Sequence, residues 1–459
     1  MNFVWVALST VLFQSCQWLM FATLARDAGS SAVGRFAFAL AVTSPPIIFA
    51  NLNLRIVIAT DVRSTFTFRD YLMLRVWCLS FCLAGVIGVA AVACDSGYDA
   101  TLIAAVTLAK VFDSISDIIY GLLQKYEMMG RVALSRSAQG ICQFLALFVT
   151  LRFSDDLLLV TVAWAAMSAV VTVSYDIRSV AVVRRRYPQE LQSSDGAASL
   201  RAARKLFRIS LPLAGTAVLG SIIGNLPVYA LKHWRSVREV GVYSAQQRFI
   251  TVIGLTFAAL VQVVMPRLAH QFNESRDRFR GLLVKLIIAA LLNAGVGLAF
   301  GLVAGEALLR LIYGPEYTDV ALFTILVAAM GVALLSVVLG MAATAARIFK
   351  IQFWAGIAQL AVTVVVLVLL TPKIGLKGAA TASLAGVVAY TGLMVPALLR
   401  SVAAAGQKPP LSENPAIEVP AQRAFGSQLP DESPRRNLRP TLVVQPRSRR
   451  HGRHRYRRR

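Results

Sequence analysis

The stretch Ala104–Gln124, AAVTLAKVFDSISDIIYGLLQ, decides the fold class, because it is apolar enough to span a bilayer yet carries three ionisable residues. Lys110, Asp113 and Asp117 are three and four residues apart, which places them on one face of a helix. Ionisable groups at membrane depth are costly, and they normally face a bundle interior or a water-filled cavity and pair with one another. We therefore expect this helix to direct a charged stripe into a cavity. The alternative is a structural ion pair that locks two helices together.

The composition of the whole chain agrees with a membrane location. Of its 459 residues, 57% are hydrophobic and 15% are charged, whereas soluble domains have roughly 45–50% apolar and about 25% charged residues. The net charge of +24 does not indicate nucleic-acid binding, because the basic residues lie between apolar runs and in a C-terminal tail. The sequence therefore predicts an all-α polytopic membrane protein.

Twelve apolar runs are long enough to be transmembrane helices, for which about 20 residues are needed. The first run is interpreted as an uncleaved span, because it lacks a basic leader and is longer than a signal-peptide core. Pro45 and Pro46 are expected to break the helical ladder of hydrogen bonds in the second run. The predicted spans are residues 3–24, 33–60, 71–94, 101–124, 132–151, 157–178, 207–230, 240–266, 281–303, 318–343, 350–371 and 376–399.

The distribution of basic residues predicts the orientation and the domain boundaries. With a cytoplasmic N-terminus, the inside connections carry 18 Lys and Arg residues and the outside connections carry nine, as the positive-inside rule requires. Both termini are then cytoplasmic. The predicted units are an N-terminal six-helix lobe (1–183), a cytoplasmic linker (184–206), a C-terminal six-helix lobe (207–400) and a disordered basic tail (401–459).

The two predicted lobes have the appearance of a sequence repeat. A shift of 207 residues places Val33-Gly34 on Val240-Gly241 and aligns the first two spans of each lobe without a gap. Six-helix repeats of the same orientation, related by an axis along the membrane normal, are an established transporter plan with the site between the halves. The repeat therefore predicts a substrate site between the two lobes.

The tail is rich in proline and ends PRSRRHGRHRYRRR at residues 446–459. Such a composition predicts disorder. A basic cluster on the cytoplasmic side is expected to bind anionic membrane lipids, with about 1 kcal/mol from each Lys or Arg near the surface. A dispensable positive-inside anchor is the alternative, and nucleic acid is the less favoured partner.

Polar residues inside the spans predict what the cavity binds. We expect substrate contacts from four cations and three amides, and Asp113 and Asp117 either bind a coupling ion or neutralise Lys110. Arg75 and Lys285 lie near span ends, where long side chains can snorkel to the surface, so they are given no role. A basic, amide-rich cavity suits an anionic ligand, because arginine grips phosphate and amides bind sugar hydroxyls. The predicted cavity residues are Asn51, Arg55, Lys110, Arg136, Asn225, Gln247 and Arg248.

Several motifs resemble the polysaccharide flippase family of the multidrug/oligosaccharidyl-lipid/polysaccharide exporter superfamily. AVGRFAFALAV at 32–42 and EVGVYSAQQRF at 239–249 resemble the Gly-x-Tyr/Phe opening of the family's second span and its repeat. RLIYGPEYTDVALFTILVAA at 310–329 and LTPKIGLKGAATASLAG at 370–386 resemble the starts of spans ten and twelve. The resemblance covers about residues 4–399, and the long basic tail departs from it.

The resemblance implies twelve to fourteen spans, two lobes and alternating access. It also implies transfer of an undecaprenyl-diphosphate-linked oligosaccharide from the cytoplasmic to the outer leaflet of the cell inner membrane, driven by an ion gradient. The family's cavity tends to be lined by basic residues, a role that falls here to Arg55, Lys110, Arg136 and Arg248. A polysaccharide polymerase or co-polymerase is a possible partner.

Other functions are weighed against this one. An ion-coupled small-molecule antiporter is an alternative, although the connection ATDVRSTFTFRD at 59–70 lacks the Gly-x-x-x-Asp-Arg-x-Gly-Arg-Arg pattern of the major facilitators. An enzyme of the same glycan pathway would need a large outside loop, which the sequence lacks, and no catalytic, cofactor or metal motif is present. A scaffold acting through its tail is the remaining alternative.

Overall fold

The computed structural model describes residues 2–61, 66–94, 96–188, 196–346 and 348–404, and throughout this part the chain is helical without strands. The predicted tail lies outside the described residues apart from its first positions. A π-helical segment, Thr172–Asp176, separates α7 from α8. The helices are α1 Asn2–Asp27, α2 Gly29–Asn51, α3 Leu54–Thr60, α4 Phe68–Ala93, α5 Gly97–Lys125, α6 Met129–Phe153, α7 Leu157–Val171, α8 Ile177–Arg186, α9 Gly196–Trp234, α10 Val237–Glu274, α11 Arg276–Tyr313, α12 Val320–Ala345, α13 Phe349–Ile374 and α14 Leu376–Ala404.

The described helices have the lengths and surfaces of membrane spans. Ten segments are long and apolar enough to cross a bilayer, and each matches one of the twelve predicted spans. The two other predicted spans fall on α5, which carries the charged stripe, and on α10. Large apolar side chains point outward, among them Trp77, Phe81 and Phe153, which are 72–85% exposed, as expected for a surface that faces lipid. The chain is a multi-pass membrane protein, and the count of twelve and the cytoplasmic termini stay predictions.

α2 continues through Pro45 and Pro46 to Asn51, and the two prolines interrupt its hydrogen-bond ladder as predicted. Proline lacks an N–H, so Pro45 leaves the carbonyl of Ala41, one turn earlier, without its helical donor. The hydroxyl of Tyr229 on α9 donates to this carbonyl at 2.5 Å. The helix is interrupted only at Leu52 and Asn53, where both residues are left-handed and α3 begins.

The predicted linker is largely absorbed into helices. α8 continues to Arg186 and α9 begins at Gly196, so the first turns of α9 precede the predicted seventh span. Ala203 and Leu206 of this segment are buried, in one apolar cluster with Phe68 and Tyr71 of α4. The apolar packing thereby attaches the start of α9 to the first half of the chain. The division into two lobes stays a prediction.

The helix boundaries follow the predicted repeat. A shift of 207 residues carries Asp27, the last residue of α1, onto Trp234, the last residue of α9. The same shift carries the start of α2 to within one residue of the start of α10, and the start of α4 to within one residue of the start of α11. This agreement supports the repeat over the first helices of each half.

The repeated glycines meet each other where α2 crosses α10. A Cβ on Gly34 would lie 1.9 Å from the carbonyl oxygen of Val237, and a Cβ on Gly241 would lie 1.9 Å from that of Ser30. Ser30 and Val237 are themselves related by the shift of 207. Glycine is therefore required on both helices, because any side chain would force the backbones apart. We call this contact the glycine crossing.

Candidate functional site

Two adjoining cavities lie between the helices of the first half and the start of the second. The larger, of about 420 Å³, is enclosed by α1, α2, α5, α9 and α10. The smaller, of about 300 Å³, is enclosed by α1, α2, α5 and α6. Both are lined by Phe13, Ser44, Ile48 and Lys110, so they adjoin at Lys110, and we refer to them together as the polar space.

The charged stripe of α5 faces this space, as the sequence predicts. Lys110 Nζ lies 3.0 Å from Asp113 Oδ2 and 5.1 Å from the ring centre of Trp164. The other oxygen of Asp113 accepts hydrogen bonds from the amides of Gln139 at 2.8 Å and Gln143 at 3.0 Å. Asp113 is therefore fully engaged by one cation and two amides, which orient it towards Lys110.

Asp117, one turn further along α5, is shared by two arginines. Arg55 Nη1 lies 3.1 Å from Oδ1, and Arg75 Nη2 lies 3.5 Å from Oδ2. Arg55 also donates to Gln124 at 3.0 Å, and Arg75 donates to Asn51. The prediction that Arg75 snorkels to the surface is wrong, because its side chain is completely buried. The carboxylate of Asp117 on α5 gives this arginine a partner inside the bundle.

Two further arginines have no carboxylate partner among the described residues. Arg136 on α6 lies over the ring of Phe13 at 5.3 Å, and its Nε is buried without a hydrogen bond in the described part of the chain. Arg248 on α10 lies over the ring of Phe21 at 4.8 Å. Arg136 lines the smaller cavity and Arg248 the larger. An aromatic face stabilises a guanidinium by about 0.5–2 kcal/mol, which is a weak substitute for a counter-ion.

The structure brings the predicted residues together. Eight of the nine line the two cavities, and the ninth, Arg55, lies behind them as a partner of Asp117. The lining also includes side chains that were not among the predicted contacts. They are small serine side chains, which sequence alone does not distinguish from packing residues: Ser44, Ser221 and Ser244.

The net charge of the space is positive. The cations that line the space or lie directly behind it as partners of Asp117 are Arg55, Arg75, Lys110, Arg136 and Arg248, and the described anions are Asp113 and Asp117. Three positive charges are therefore in excess. Charges inside a membrane protein are normally paired, and an anionic ligand would supply such a partner.

An apolar extension adjoins the larger cavity. A space of about 170 Å³ in the second half shares Gly224, Gln247 and Thr251 with it. Its further lining is mainly aliphatic, with Tyr243 and Ser383 joined by a hydrogen bond at 3.2 Å. The polar space is thus open to an apolar neighbour within the protein.

Comparisons with known proteins identify related sequences and folds. The model of the polysaccharide biosynthesis protein family matches residues 1–272. The capsular polysaccharide biosynthesis protein CapF of Staphylococcus aureus is 26% identical over 386 residues, which cover 83% of this chain and 94% of that protein.

Among solved structures, the lipid II flippase MurJ in an inward closed conformation superposes with a TM-score of 0.70 at 11% identity, over 87% of this chain and 89% of MurJ. The MATE multidrug transporter DinF-BH has a TM-score of 0.61 at 14% identity, over 86% and 94% of the two chains. At these identities the likeness establishes the fold. Both neighbours are transporters.

Proposed function

The chain belongs to the polysaccharide biosynthesis protein family, and we propose that it is a flippase for lipid-linked oligosaccharides. The proposed substrate is an undecaprenyl-diphosphate-linked oligosaccharide, which is transferred from the cytoplasmic to the outer leaflet of the cell inner membrane. Transfer takes place by alternating access of the polar space. The observation that carries the proposal is the excess of positive charge in that space, above all the two unpaired arginines.

A diphosphate satisfies the electrostatic requirement of the site. Arg136 and Arg248 lack carboxylate partners among the described residues, and Lys110 lies between them at the junction of the two cavities. Guanidinium groups bind phosphate oxygens with paired, charge-assisted hydrogen bonds. A substrate diphosphate at this position would supply the negative charge that the protein does not.

The remaining lining suits the other parts of such a substrate. Gln247 and Asn225 present amide groups to the larger cavity, beside the hydroxyls of Ser44 and Ser221. Amides and hydroxyls both donate and accept hydrogen bonds, as sugar hydroxyls require. The apolar extension towards Tyr243 offers a path for part of the polyprenyl chain.

The alternatives fit the site less well. A multidrug transporter shares the fold, but a cationic drug would be repelled by the excess of positive charge in and directly behind the space. In the proposed role the protein is a transporter and not an enzyme, and a polysaccharide polymerase or co-polymerase would use the flipped units. A scaffold role for the tail predicts that removal of the residues after Arg400 abolishes export, whereas the flippase role predicts that most export remains.

The proposed function is tested with a deletion strain. Lipids are extracted and the leaflet of diphosphate-linked oligosaccharides is determined by protection from an impermeant reagent. We expect complete units to accumulate on the cytoplasmic face and their mass to identify the sugar. Complete units that reach the outer leaflet and remain unpolymerised would refute flipping. The absence of any lipid-linked intermediate would instead favour the small-molecule transporter.

Variants of the unpaired arginines test the site itself. Hydrogen bonds to charged groups contribute about 1.5–3 kcal/mol each, so Arg136→Ala or Arg248→Ala should weaken substrate binding by about 10- to 150-fold. Lys285→Ala is the control, because Lys285 is exposed on α11 away from the cavities. Protein abundance in the membrane is measured alongside export. Full export by both arginine variants would contradict the assignment of the cavity.

A further inference from the structure

A buried carboxylate outside the two cavities has a different environment from Asp113 and Asp117. Asp176 is the last residue of the π-helical segment between α7 and α8, and it is completely buried. Its Oδ2 lies 2.6 Å from Ser116 Oγ on α5, and its Oδ1 lies 2.5 Å from Ser135 Oγ on α6. π-Helical segments often occur at functional sites.

No cation accompanies this carboxylate in the described part of the chain. Asp113 and Asp117 have ion-pair partners at 3.0–3.5 Å, whereas the partners of Asp176 are hydroxyl groups alone. An ionised carboxylate that is buried without a counter-ion is strongly disfavoured, and such a group is usually neutral.

The neighbouring titratable groups do not compensate for its charge. On α6, Arg131 donates to Ser179 at 3.3 Å, and Arg136 faces Phe13 and the cavity. On α5, Tyr120 interacts with Ser135 at 2.8 Å, and Asp113 and Asp117 are paired elsewhere. On the segment itself, Tyr175 is partly exposed beside Asp176.

The number of hydrogens in the surrounding network corresponds to a neutral acid. Besides the two contacts to Asp176, the network contains three hydrogen bonds. The hydroxyls of Ser116 and Thr172 are 2.9 Å apart, and those of Ser135 and Tyr120 are 2.8 Å apart. The Thr172 hydroxyl also donates to the carbonyl of Ser168 at 2.8 Å. Four hydroxyl hydrogens are available for these five short contacts. One contact therefore lacks a hydrogen if Asp176 is ionised.

A proton on Asp176 supplies the missing hydrogen. The acid then donates from Oδ2 to Ser116, Ser116 donates to Thr172, and Thr172 donates to its own helix. On the other side, Tyr120 donates to Ser135, which donates to Oδ1. Every short contact is satisfied in this arrangement, as buried polar groups generally are.

A metal ion does not fit among the same oxygens. They stand 2.5–2.9 Å apart, at hydrogen-bonding distance. Even around Mg²⁺, with metal–oxygen distances of about 2.0–2.1 Å, octahedral ligand oxygens are roughly 3 Å apart, and larger cations need more space. The geometry therefore favours a proton over sodium or another cation.

The network reaches the substrate space. Tyr120 lies 3.4 Å from Gln139 Oε1, and the amide of Gln139 donates to Asp113 at 2.8 Å. Tyr120, Gln139 and Asp113 all line the smaller cavity. Loss of the proton from Asp176 requires Ser116 to turn towards the acid and to give up its contact with Thr172, so it loosens the contact between α5 and the π-helical segment. The same helix α5 carries Lys110, Asp113 and Asp117, which line the smaller cavity.

We propose that Asp176 is the proton-binding site of this transporter and that the structure holds it in the protonated state. Release and rebinding of the proton, exchanged with water, are coupled to occupancy of the basic space through α5, which carries both Ser116 and the charged stripe. The proton site is inferred from the hydrogen-bond network of Asp176 alone, whereas its coupling to transport rests on the proposed function. Asp113 and Asp117 are then the groups that neutralise neighbouring cations, the alternative that the sequence left open.

Infrared spectroscopy of the purified full-length protein in lipid vesicles tests protonation without any substrate. We expect a carboxylic-acid C=O band at neutral pH that is absent from Asp176→Asn, retained in the control Asp113→Asn, and equal in sodium and potassium buffers. Absence of the band from the wild-type protein would overturn the proposal, because Asp176 would be ionised. A band that sodium ions abolish would overturn it in favour of a cation site.

Export in the deletion strain tests the coupling. The substitution Asp176→Asn reproduces the neutral acid, since an amide at this position can donate to Ser116 and accept from Ser135. We expect Asp176→Asn to keep membrane abundance and thermal stability but to lose export by at least about fivefold, the lower end of the usual range for coupled sites. Normal export by this variant would show that Asp176 is only structural. If the lipid assay refutes the flippase, the infrared result still decides whether the proton site exists.

Discussion

Replacement of Gly241 by alanine should open the glycine crossing between α2 and α10. The new Cβ would lie 1.9 Å from the carbonyl oxygen of Ser30, and ordinary contact begins at 3.4 Å. The two backbones must therefore separate by about 1.5 Å. The contact is to backbone, so no side-chain rotation relieves it.

The energetic effect follows from this overlap. Overpacking of a close contact costs about 1–3 kcal/mol. This free energy changes the ratio of open to closed conformations of the glycine crossing by about 5- to 150-fold. Gly34→Ala should have a similar effect, because its Cβ meets Val237 at the same distance. The two changes should be less than additive when combined, since one separation relieves both overlaps.

Cysteine labelling measures the opening. Ser30 is 4% exposed, so a cysteine at this position in an otherwise cysteine-free protein should react slowly with an impermeant maleimide added to intact cells. Gly241→Ala should accelerate the reaction about 5- to 150-fold. Gly88→Ala is the matched control, because its Cβ would meet nothing within 4 Å. Equal labelling rates in all variants would refute the reasoning, and labelling only after lysis would contradict the predicted outside location of this end.

Three further predictions concern stability and pH. Tyr229→Phe should lower the free energy of unfolding by about 1–3 kcal/mol, because the carbonyl of Ala41 then loses its donor. Thermal melting in lipid measures this change. Tyr390→Phe, which removes no described hydrogen bond, is the control. Asp117→Ala should destabilise the protein by about 3–5 kcal/mol by leaving buried Arg75 unpaired, and an additional Arg75→Met change should restore part of the loss. Between α6 and α7, the hydrogen bond from the Tyr98 hydroxyl lowers the pKa of Asp156. The stabilisation that Asp156 gives to the start of α7 should therefore be complete above the ordinary carboxyl range and be lost as the pH falls through the lowered pKa. Amide hydrogen exchange in the first turn of α7 measures this loss.

Much of the architecture could be predicted from the sequence because membrane spans are long, continuous apolar runs. The charged stripe on α5 was recognisable for the same reason, since Lys110, Asp113 and Asp117 interrupt such a run at helical spacing. The cavity residues were identified by the same rule, which holds that polar groups inside a span avoid lipid. These predictions depend on local sequence alone.

The errors concern residues whose environment is set by distant helices. Arg75 could reach either the surface or the interior, and only the position of Asp117 on α5 decides between them. The interrupted ladder at Pro45 could be predicted, but the sequence did not indicate that Tyr229, which lies far away on α9, satisfies the freed carbonyl. Asp176 near the end of span six gave no periodic signal, because its partners lie on two other helices.

The glycine crossing also bears on the origin of the chain. Position 34 meets position 237, and position 241 meets position 30, so each half presents the same two sites to the other. Such self-complementary contacts are the rule in two-fold symmetric homodimers, where one sequence specifies both surfaces. A half-length ancestral protein could therefore have formed this contact between two identical copies, and gene duplication with fusion would have retained it. The two halves now differ in their charges, with the acidic residues Asp113 and Asp117 on α5 in one and Arg248 on α10 in the other.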